Sequence, residues 1–242
     1  IIPVKKIKVF VDFFSIFKSE TRIKKINFIL NQLDIEQIKY ISTSFKPSNF
    51  TSFLKNKVKE GRLDTEIEVF FDNNNILDNF IAKGSISNLK TQIYKDLILE
   101  KTNFDFFADK TDILIKNVST RTDLLEINEG DIKISVSSEI QINSNFETKL
   151  KYTEINERPQ FIKNINLLKD VKKIQANFDS NLNVIFDKTY KVKKYELKGK
   201  GKVNNALFIL KKPIENTLLT KQIHQVSIKD SSFETIFKSK KI

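Results

Sequence analysis

Residues 131–136, with the sequence DIKISV, alternate polar and apolar side chains at every position. Successive side chains of a β-strand point to opposite faces, so this pattern predicts a strand with one apolar and one wet face. The same alternation returns at residues 62–69 (RLDTEIEV), 139–142 (EIQI) and 181–186 (NLNVIF). A long series of such strands creates one continuous apolar surface, which must be covered, closed on itself, or used to hold something apolar.

Alternating segments predict strands along most of the chain, beginning with 4–17 and 23–33 and a turn at about 18–21. The other predicted strands are at about 62–72, 76–89, 91–99, 102–108, 111–119, 124–136, 139–153, 171–187, 189–205, 206–211, 222–230 and 232–238. No Gly/Ser linker or low-complexity run separates them, so residues 1–242 are interpreted as a single β segment.

A helical hairpin is predicted at about 34–60, between the opening strands and the rest. Asp34 and Gln37 have the spacing of a capping box, which predicts the start of the first helix. Pro47 ends that helix, and Ser48 or Asn49 can cap the second.

Two further patterns refine this organisation. Gly61 suits the position that follows the second helix of the hairpin, and helical spacing after Pro159 predicts a short helix at 160–169. The segment KGSISNL at 83–89 also matches KGKVNNA at 200–206. In both copies the glycine predicts a bend or bulge within a strand, and the following Asn a turn.

The composition is that of a folded protein, with 40% hydrophobic and 30% charged residues and a net charge of +12. The charge comes from 38 Lys and only 4 Arg, and Arg is the residue favoured for bidentate phosphate and guanine contacts. We therefore expect no nucleic-acid partner. Attraction to anionic lipid or to another acidic surface remains physically reasonable.

The chain contains no Met, not even at position 1, so we expect it to belong to a longer reading frame or to follow a removed leader. Its most apolar stretch, residues 7–17, is about eleven residues long and carries Lys8 and Asp12. That stretch is too short and too charged to span a bilayer or form a signal-peptide core. Any membrane anchor is expected outside this segment.

Candidate catalytic and metal-binding residues are few. His224 is the only histidine and there is no Cys, so no nitrogen or sulfur metal site can be assembled. The run from Asp72 to Asn75 invites a calcium-loop interpretation, but Leu77 and Lys83 then occupy the glycine and bidentate-glutamate positions. A polar hairpin turn explains the run better.

Paired carboxylates for acid–base chemistry could come from Asp105, Asp109 and Asp112, but their spacing is also typical of turns and solvent-facing positions. No phosphate loop, nucleophile elbow or catalytic triad is present in the sequence. We therefore predict that the protein is not an enzyme and has no catalytic residues, no metal and no cofactor.

The apolar strand faces are the remaining candidate site. The aromatic residues Phe178 and Phe186 share the apolar parity of Leu182 and Val184, so they belong to the apolar surface rather than to a nucleic-acid stacking platform. Core filling is the simple interpretation, and lining for an acyl chain the more specific one. The predicted lining residues are Ile132, Ile134, Val136, Ile140, Ile142, Phe146, Phe178, Leu182, Val184 and Phe186.

A family resemblance rests on the long alternating strands, the early helical hairpin and several strand–turn units. These units are FIAKGSISN at 80–88, YELKGKGKVN at 195–204, and DFFADK at 105–110 followed by DILIKN at 112–117 and EGDIK at 129–133. Together they resemble an internal segment of the AsmA-like family of repeating β-groove proteins, of the YhdP/TamB type.

The resemblance implies a mainly β fold, a long curved antiparallel sheet forming an open groove, with the helical hairpin inserted. It also implies a non-enzymatic periplasmic protein, anchored in the inner membrane outside this segment, that conducts phospholipid acyl chains towards the outer membrane. Two alternatives stay open: a structural β-solenoid or sandwich with a closed core, and a basic nucleic-acid-binding module.

Overall fold

The computed structural model describes residues 4–17, 21–44, 48–93, 97–122, 124–153, 171–189, 191–215 and 221–239. Its strands are β1 Val4–Val11, β2 Ile23–Asp34, β3 Val58–Phe71, β4 Leu77–Gln92, β5 Ile98–Ala108, β6 Asp112–Arg121, β7 Leu125–Val136, β8 Ile140–Thr153, β9 Val171–Phe186, β10 Val192–Ile214 and β11 Ile223–Lys238. Its helices are α1 Phe13–Ile16 between β1 and β2, and α2 Ile35–Ser42 and α3 Asn49–Lys57 between β2 and β3.

The eleven strands form one antiparallel sheet in which each strand pairs with its neighbours in the chain. β1 and β11 are the two edges, so the sheet is open and the predicted mainly β, open antiparallel fold is confirmed. The accessible surface is 17197 Å², whereas a compact monomer of 28.2 kDa exposes about 11,000 Å². The closed sandwich or solenoid is therefore wrong for the described residues.

The first strand is shorter than predicted. The sequence predicted one strand over 4–17, but β1 ends at Val11 and α1 follows. Asp12 explains the change, because its carboxylate accepts the Phe14 N–H at 3.1 Å and so caps the start of the helix.

Other predicted breaks do not interrupt the strands. The segments 189–205 and 206–211 join in β10, and 222–230 and 232–238 join in β11. The Asn residues of the repeated KG segments lie at register irregularities inside β4 and β10 rather than in turns. A bulge absorbs the extra residue without ending the strand. The predicted strand 91–99 is also wrong, since β4 ends at Gln92 and β5 starts at Ile98.

The helical hairpin is confirmed. Asp34 accepts the Gln37 N–H at 2.9 Å while the Gln37 side chain accepts the Asp34 N–H at 3.0 Å, which completes the capping box. Ser48 caps α3 by accepting the Thr51 N–H at 3.1 Å. Gly61 was predicted to follow the second helix directly, and this is wrong. It lies within β3 with a φ of 153°. The predicted helix at 160–169 lies outside the described residues.

The first half of the sheet is bent by a series of bulges. Residues with a φ between 49° and 153° occur once in each of β2 to β6, and they are Gln32, Gly61, Asn88, Lys101 and Asn117. Three of their N–H groups donate to a side chain on the next strand: Gln32 to Asp64 at 2.9 Å, Asn88 to Asn103 at 2.9 Å, and Asn117 to Asp131 at 3.3 Å. Bulges bend and twist strands, so the sheet curves while these donors remain paired.

The two rims of the sheet differ. We call the rim that carries α2 and α3 the helix rim; there β2, β4, β6, β8 and β10 end. The opposite rim, the turn rim, carries α1 and the short connections such as 72–76, 109–111 and 187–191. Both buried apolar clusters lie at the helix rim, one around Ile35, Leu54 and Val58 and the other around Tyr152 and Val171.

Candidate functional site

The strand register places the predicted lining residues on one face of the sheet, because directly paired residues point to the same side. Across β7, β8 and β9 the rows are Val136–Ile140–Phe186, Ile134–Ile142–Val184, Ile132–Ser144–Leu182, Gly130–Phe146–Ser180 and Ile127–Thr148–Phe178. All the predicted residues are thus brought together on three adjacent strands. Their role in binding an acyl chain stays a prediction.

This apolar face continues across the other strands. The row through Ile134 extends to Ile113 on β6, to Ala108 on β5 and on towards β1. Its remaining members are Ala82, Ile67, Phe28 and Ile7 on one side and Tyr195 on the other. An apolar band therefore runs from β1 to β10 across the strands, through residues that sequence reasoning did not assign to the site.

Two aromatic side chains of the face lie over glycines of neighbouring strands. A Cβ built on Gly130 would lie 2.2 Å from the Phe146 ring, so only glycine leaves room for this ring. At Gly201 a Cβ would lie 2.2 Å from the Asn177 carbonyl oxygen and 2.5 Å from the Phe178 Cβ, so there the close approach is to the neighbouring backbone. Phe178 also meets Phe233 edge to face at 5.9 Å. Such aromatic–glycine pairs fix the register of the strands.

Small residues lie along the apolar face, and they are buried. They are Thr65, Thr102, Thr120, Ser144, Thr148, Ala176 and Ala206. The larger residues on either side, such as Ile134, Val184 and Phe146, remain partly exposed. Small buried residues between larger, partly exposed ones are consistent with a groove. The larger side chains cover the small ones, and among the residues that the structure describes no second layer covers the larger ones.

The polar face is held by ion pairs and side-chain ladders. Asn27 donates to Glu66 at 2.6 Å, and Lys83 lies 3.1 Å from the same carboxylate. The bond from Asn27, followed by that from Lys83, lowers the pKa of Glu66 below its ordinary value. Asn183 donates to Asn143 at 2.7 Å on the same face. These contacts join the polar side chains of neighbouring strands to one another.

Aspartate side chains accept hydrogen bonds within the connections of the turn rim. The Asp109 carboxylate accepts the N–H groups of Thr111 and Asp112, both at 2.8 Å, and these bonds lower the pKa of Asp109. Asp187 is held in the same way: the Thr189 hydroxyl, followed by the Lys191 N–H, lowers its pKa. Asp72 accepts two N–H groups within the turn that the sequence predicted there.

The other candidate carboxylates also have partners within the sheet. Asp105 accepts from Asn117 at 2.8 Å and Asp112 accepts from Ser135 at 2.6 Å, so both are structural partners. His224 is exposed on β11. Within the described ranges, no group of three or more His, Cys, Asp or Glu side chains is arranged to hold a metal ion. Among the same residues, no helix is long and apolar enough to cross a bilayer.

Sequence reasoning missed one feature of the surface, the exposed aromatic residues of α1. Residues 4–17 were interpreted as a strand, which would have placed successive Phe side chains on alternate faces. The available signal was Asp12, a favoured N-cap residue directly before Phe13.

Comparison with known proteins gives no match: no protein-family profile, no curated protein and no solved structure matches this chain. The resemblance to the AsmA-like family therefore stays a prediction. The fold and the geometry of the apolar face are what the chain itself offers for a functional assignment.

Proposed function

We propose that this chain is a non-enzymatic lipid-conducting segment, which binds phospholipid acyl chains along the apolar face of its open sheet. The observation that carries the proposal is the register, which aligns the apolar side chains of successive strands on one face that no second layer of described residues covers. A folded protein gains stability by covering such a surface. An apolar ligand that covers it gains in the same way.

The dimensions fit acyl chains. Neighbouring strands are about 4.8 Å apart, so the ten strands from β1 to β10 give an apolar band of roughly 43 Å. Burial of each CH₂ group contributes about 0.8 kcal/mol, so a sixteen-carbon chain gains about 12 kcal/mol at most. This gain is spread over many similar side chains, and a surface without one dominant contact favours movement along the groove over tight capture.

We further propose that the chain is an internal segment of an AsmA-like protein. In that setting the segment is periplasmic, the inner-membrane anchor lies elsewhere in the full-length protein, and phospholipid moves between inner and outer membrane. The open antiparallel sheet and the early helical hairpin support this proposal.

The test places two charges on either side of the same strand pair. Ile142 and Val184 are direct partners on the apolar face, and Asn143 and Asn183 are the adjacent partners on the polar face. Ile142→Asp with Val184→Asp introduces two carboxylates into the apolar band, and Asn143→Asp with Asn183→Asp introduces the same two charges behind it. Phospholipid recovered with each purified chain is measured by mass spectrometry.

The expected result is phospholipid on the wild type and on the polar-face variant, with a loss of at least fivefold on the apolar-face variant. Circular dichroism shows whether both variants keep the sheet. A wild-type chain purified without phospholipid, or equal lipid on the two variants, would overturn the proposal.

A further inference from the structure

Three aromatic side chains at the start of the chain are almost fully in water. Phe13, Phe14 and Phe17 have relative exposures of 65%, 74% and 77%. The Phe13 ring meets Phe14 edge to face at 5.8 Å and Phe17 at 5.4 Å. We propose that this aromatic cluster, Phe13, Phe14 and Phe17, inserts into the surface of an anionic phospholipid bilayer.

The cluster projects from the sheet instead of packing on it. The Asp12 carboxylate caps α1, and the Ser15 hydroxyl accepts the Arg22 N–H at 2.9 Å, so the short helix is tied to the backbone. Ser15 is the buried residue of this helix, whereas its aromatic residues face outward. A rigid support that presents several large aromatic rings to water is costly unless the rings meet an apolar phase.

The charges near the cluster favour an anionic surface. Lys8 is exposed on the adjoining β1. Lys24 is 64% exposed, and its Nζ lies 3.6 Å from Asp12. Lysines next to an apolar insertion point are attracted to anionic lipid headgroups, and Phe side chains bury in the acyl boundary beneath them. A bilayer offers both partners together.

The cluster also lies next to the apolar face. Val11 is the last residue of β1 and pairs with Ile23, and Val9 pairs with Ile26 on the same face. An inserted cluster places the β1 end of the described sheet at the lipid surface. That this is where acyl chains pass between bilayer and groove rests on the proposed function, whereas insertion itself does not.

The experiment uses the chain of residues 1–242 and vesicles of phosphatidylcholine with or without phosphatidylglycerol. Vesicle flotation compares the wild type with the variant Phe13→Ser, Phe14→Ser and Phe17→Ser. The matched control is Ile76→Ser with Leu77→Ser, which removes two exposed apolar side chains from another position on the turn rim. Because the chain has no Trp, a Phe14→Trp variant reports the environment of the cluster.

We expect the triple variant to bind phosphatidylglycerol vesicles at least tenfold less than the wild type, and the control to bind as the wild type does. The Trp emission should shift to the blue on vesicle addition and be quenched by lipids with brominated chains. Equal vesicle binding by wild type and triple variant would overturn insertion. So would wild-type binding that disappears at high salt together with a Trp emission that brominated lipids do not quench. So would an equal loss in the control.

A second copy of the chain is the competing occupant, and sedimentation separates it from a bilayer. If the triple serine variant changes the oligomeric state and leaves vesicle binding unchanged, the cluster is a protein contact and the proposal fails. Phospholipid recovered with the triple variant is measured in parallel, because retained lipid with lost vesicle binding is the expected result. Equal lipid on the apolar-face and polar-face variants would overturn the proposed function alone and would leave insertion standing.

Discussion

The apolar face of β7 to β9 and the helix rim contain the same residue types but bury them to different extents. Leu33 and Val171 at the helix rim are 1% and 0% exposed, whereas Leu182 and Val184 on the apolar face remain partly in water. The helical hairpin covers Val58 and Leu89 at the rim, whereas the larger side chains of the apolar face have no second layer among the described residues. The rim clusters therefore act as the core, and the apolar face is left available.

The largest expected effect tests this difference with one substitution at two positions. Leu33→Ala should lower the free energy of unfolding by about 2–5 kcal/mol, because it leaves a cavity in a closed environment. Leu182→Ala should lower it by about 1–2 kcal/mol, because the space it leaves opens to solvent and adds no cavity. Urea denaturation at equilibrium measures both losses.

Equal losses at the two positions would contradict the comparison, since they would mean that the face around Leu182 is as tightly packed as the rim. The denaturant slope serves as the control. It should be the same for wild type and both variants, because neither substitution changes how much surface unfolding exposes.

Sequence patterns predicted the parts of this comparison that are local. Alternation over 131–136 and 181–186 identified the apolar side of each strand, and the capping box at Asp34 located α2 correctly. Which strands become neighbours is not local, and the pairing of Ile142 with Val184 joins residues far apart in sequence. The alternation in each strand predicted that its apolar residues share one face. Only the strand register shows that the apolar residues of neighbouring strands lie side by side.

Other features were missed because they oppose the local pattern. Bulges at Gln32, Asn88 and Asn117 place residues other than glycine at positive φ, and each is stabilised by a side chain on the next strand. A propensity scale describes single residues, so it does not include a hydrogen-bond partner on another strand. The uninterrupted course of β10 was missed for the same reason. The turn predicted after Gly201 is a register shift between Val203 and Asn205, and pairing with β9 continues on both sides of it.

A smaller effect is expected where the apolar face depends on glycine. Gly130→Ala should destabilise the fold by about 1–3 kcal/mol, because the new methyl group would overlap the Phe146 ring and force it to turn. Gly199→Ala is the matched control on the same row of the face. Its Cβ would lie 3.0 Å from the Thr235 hydroxyl, which can rotate away. Thermal unfolding should show a clear loss for the first variant and almost none for the second; the reverse order would show that Phe146 does not pack on Gly130.

The smallest expected effect concerns the turn rim. There, carboxylate hydrogen bonds stabilise the turns, whereas apolar burial stabilises the helix rim. The pKa values of Asp109 and Asp187 are lowered from the ordinary 3.8 by bonds to turn groups. A lowered pKa in the folded state contributes stability above the ordinary value, and that contribution is lost as the pH falls through the lowered pKa. Protection of the turns against hydrogen exchange should therefore decrease below about pH 3.8, while the helix rim, held by burial, changes less.

The control for acidification is the double variant Asp109→Asn and Asp187→Asn. The Asn side-chain oxygen can accept the same N–H groups but does not titrate in this range, so the variant should show weaker turns at neutral pH and no further loss on acidification. Hydrogen exchange followed by mass spectrometry resolves the two rims separately. Turn peptides that keep full protection well below the ordinary pKa in the wild type, or that lose it equally in the double variant, would show that these carboxylates do not hold the turn rim.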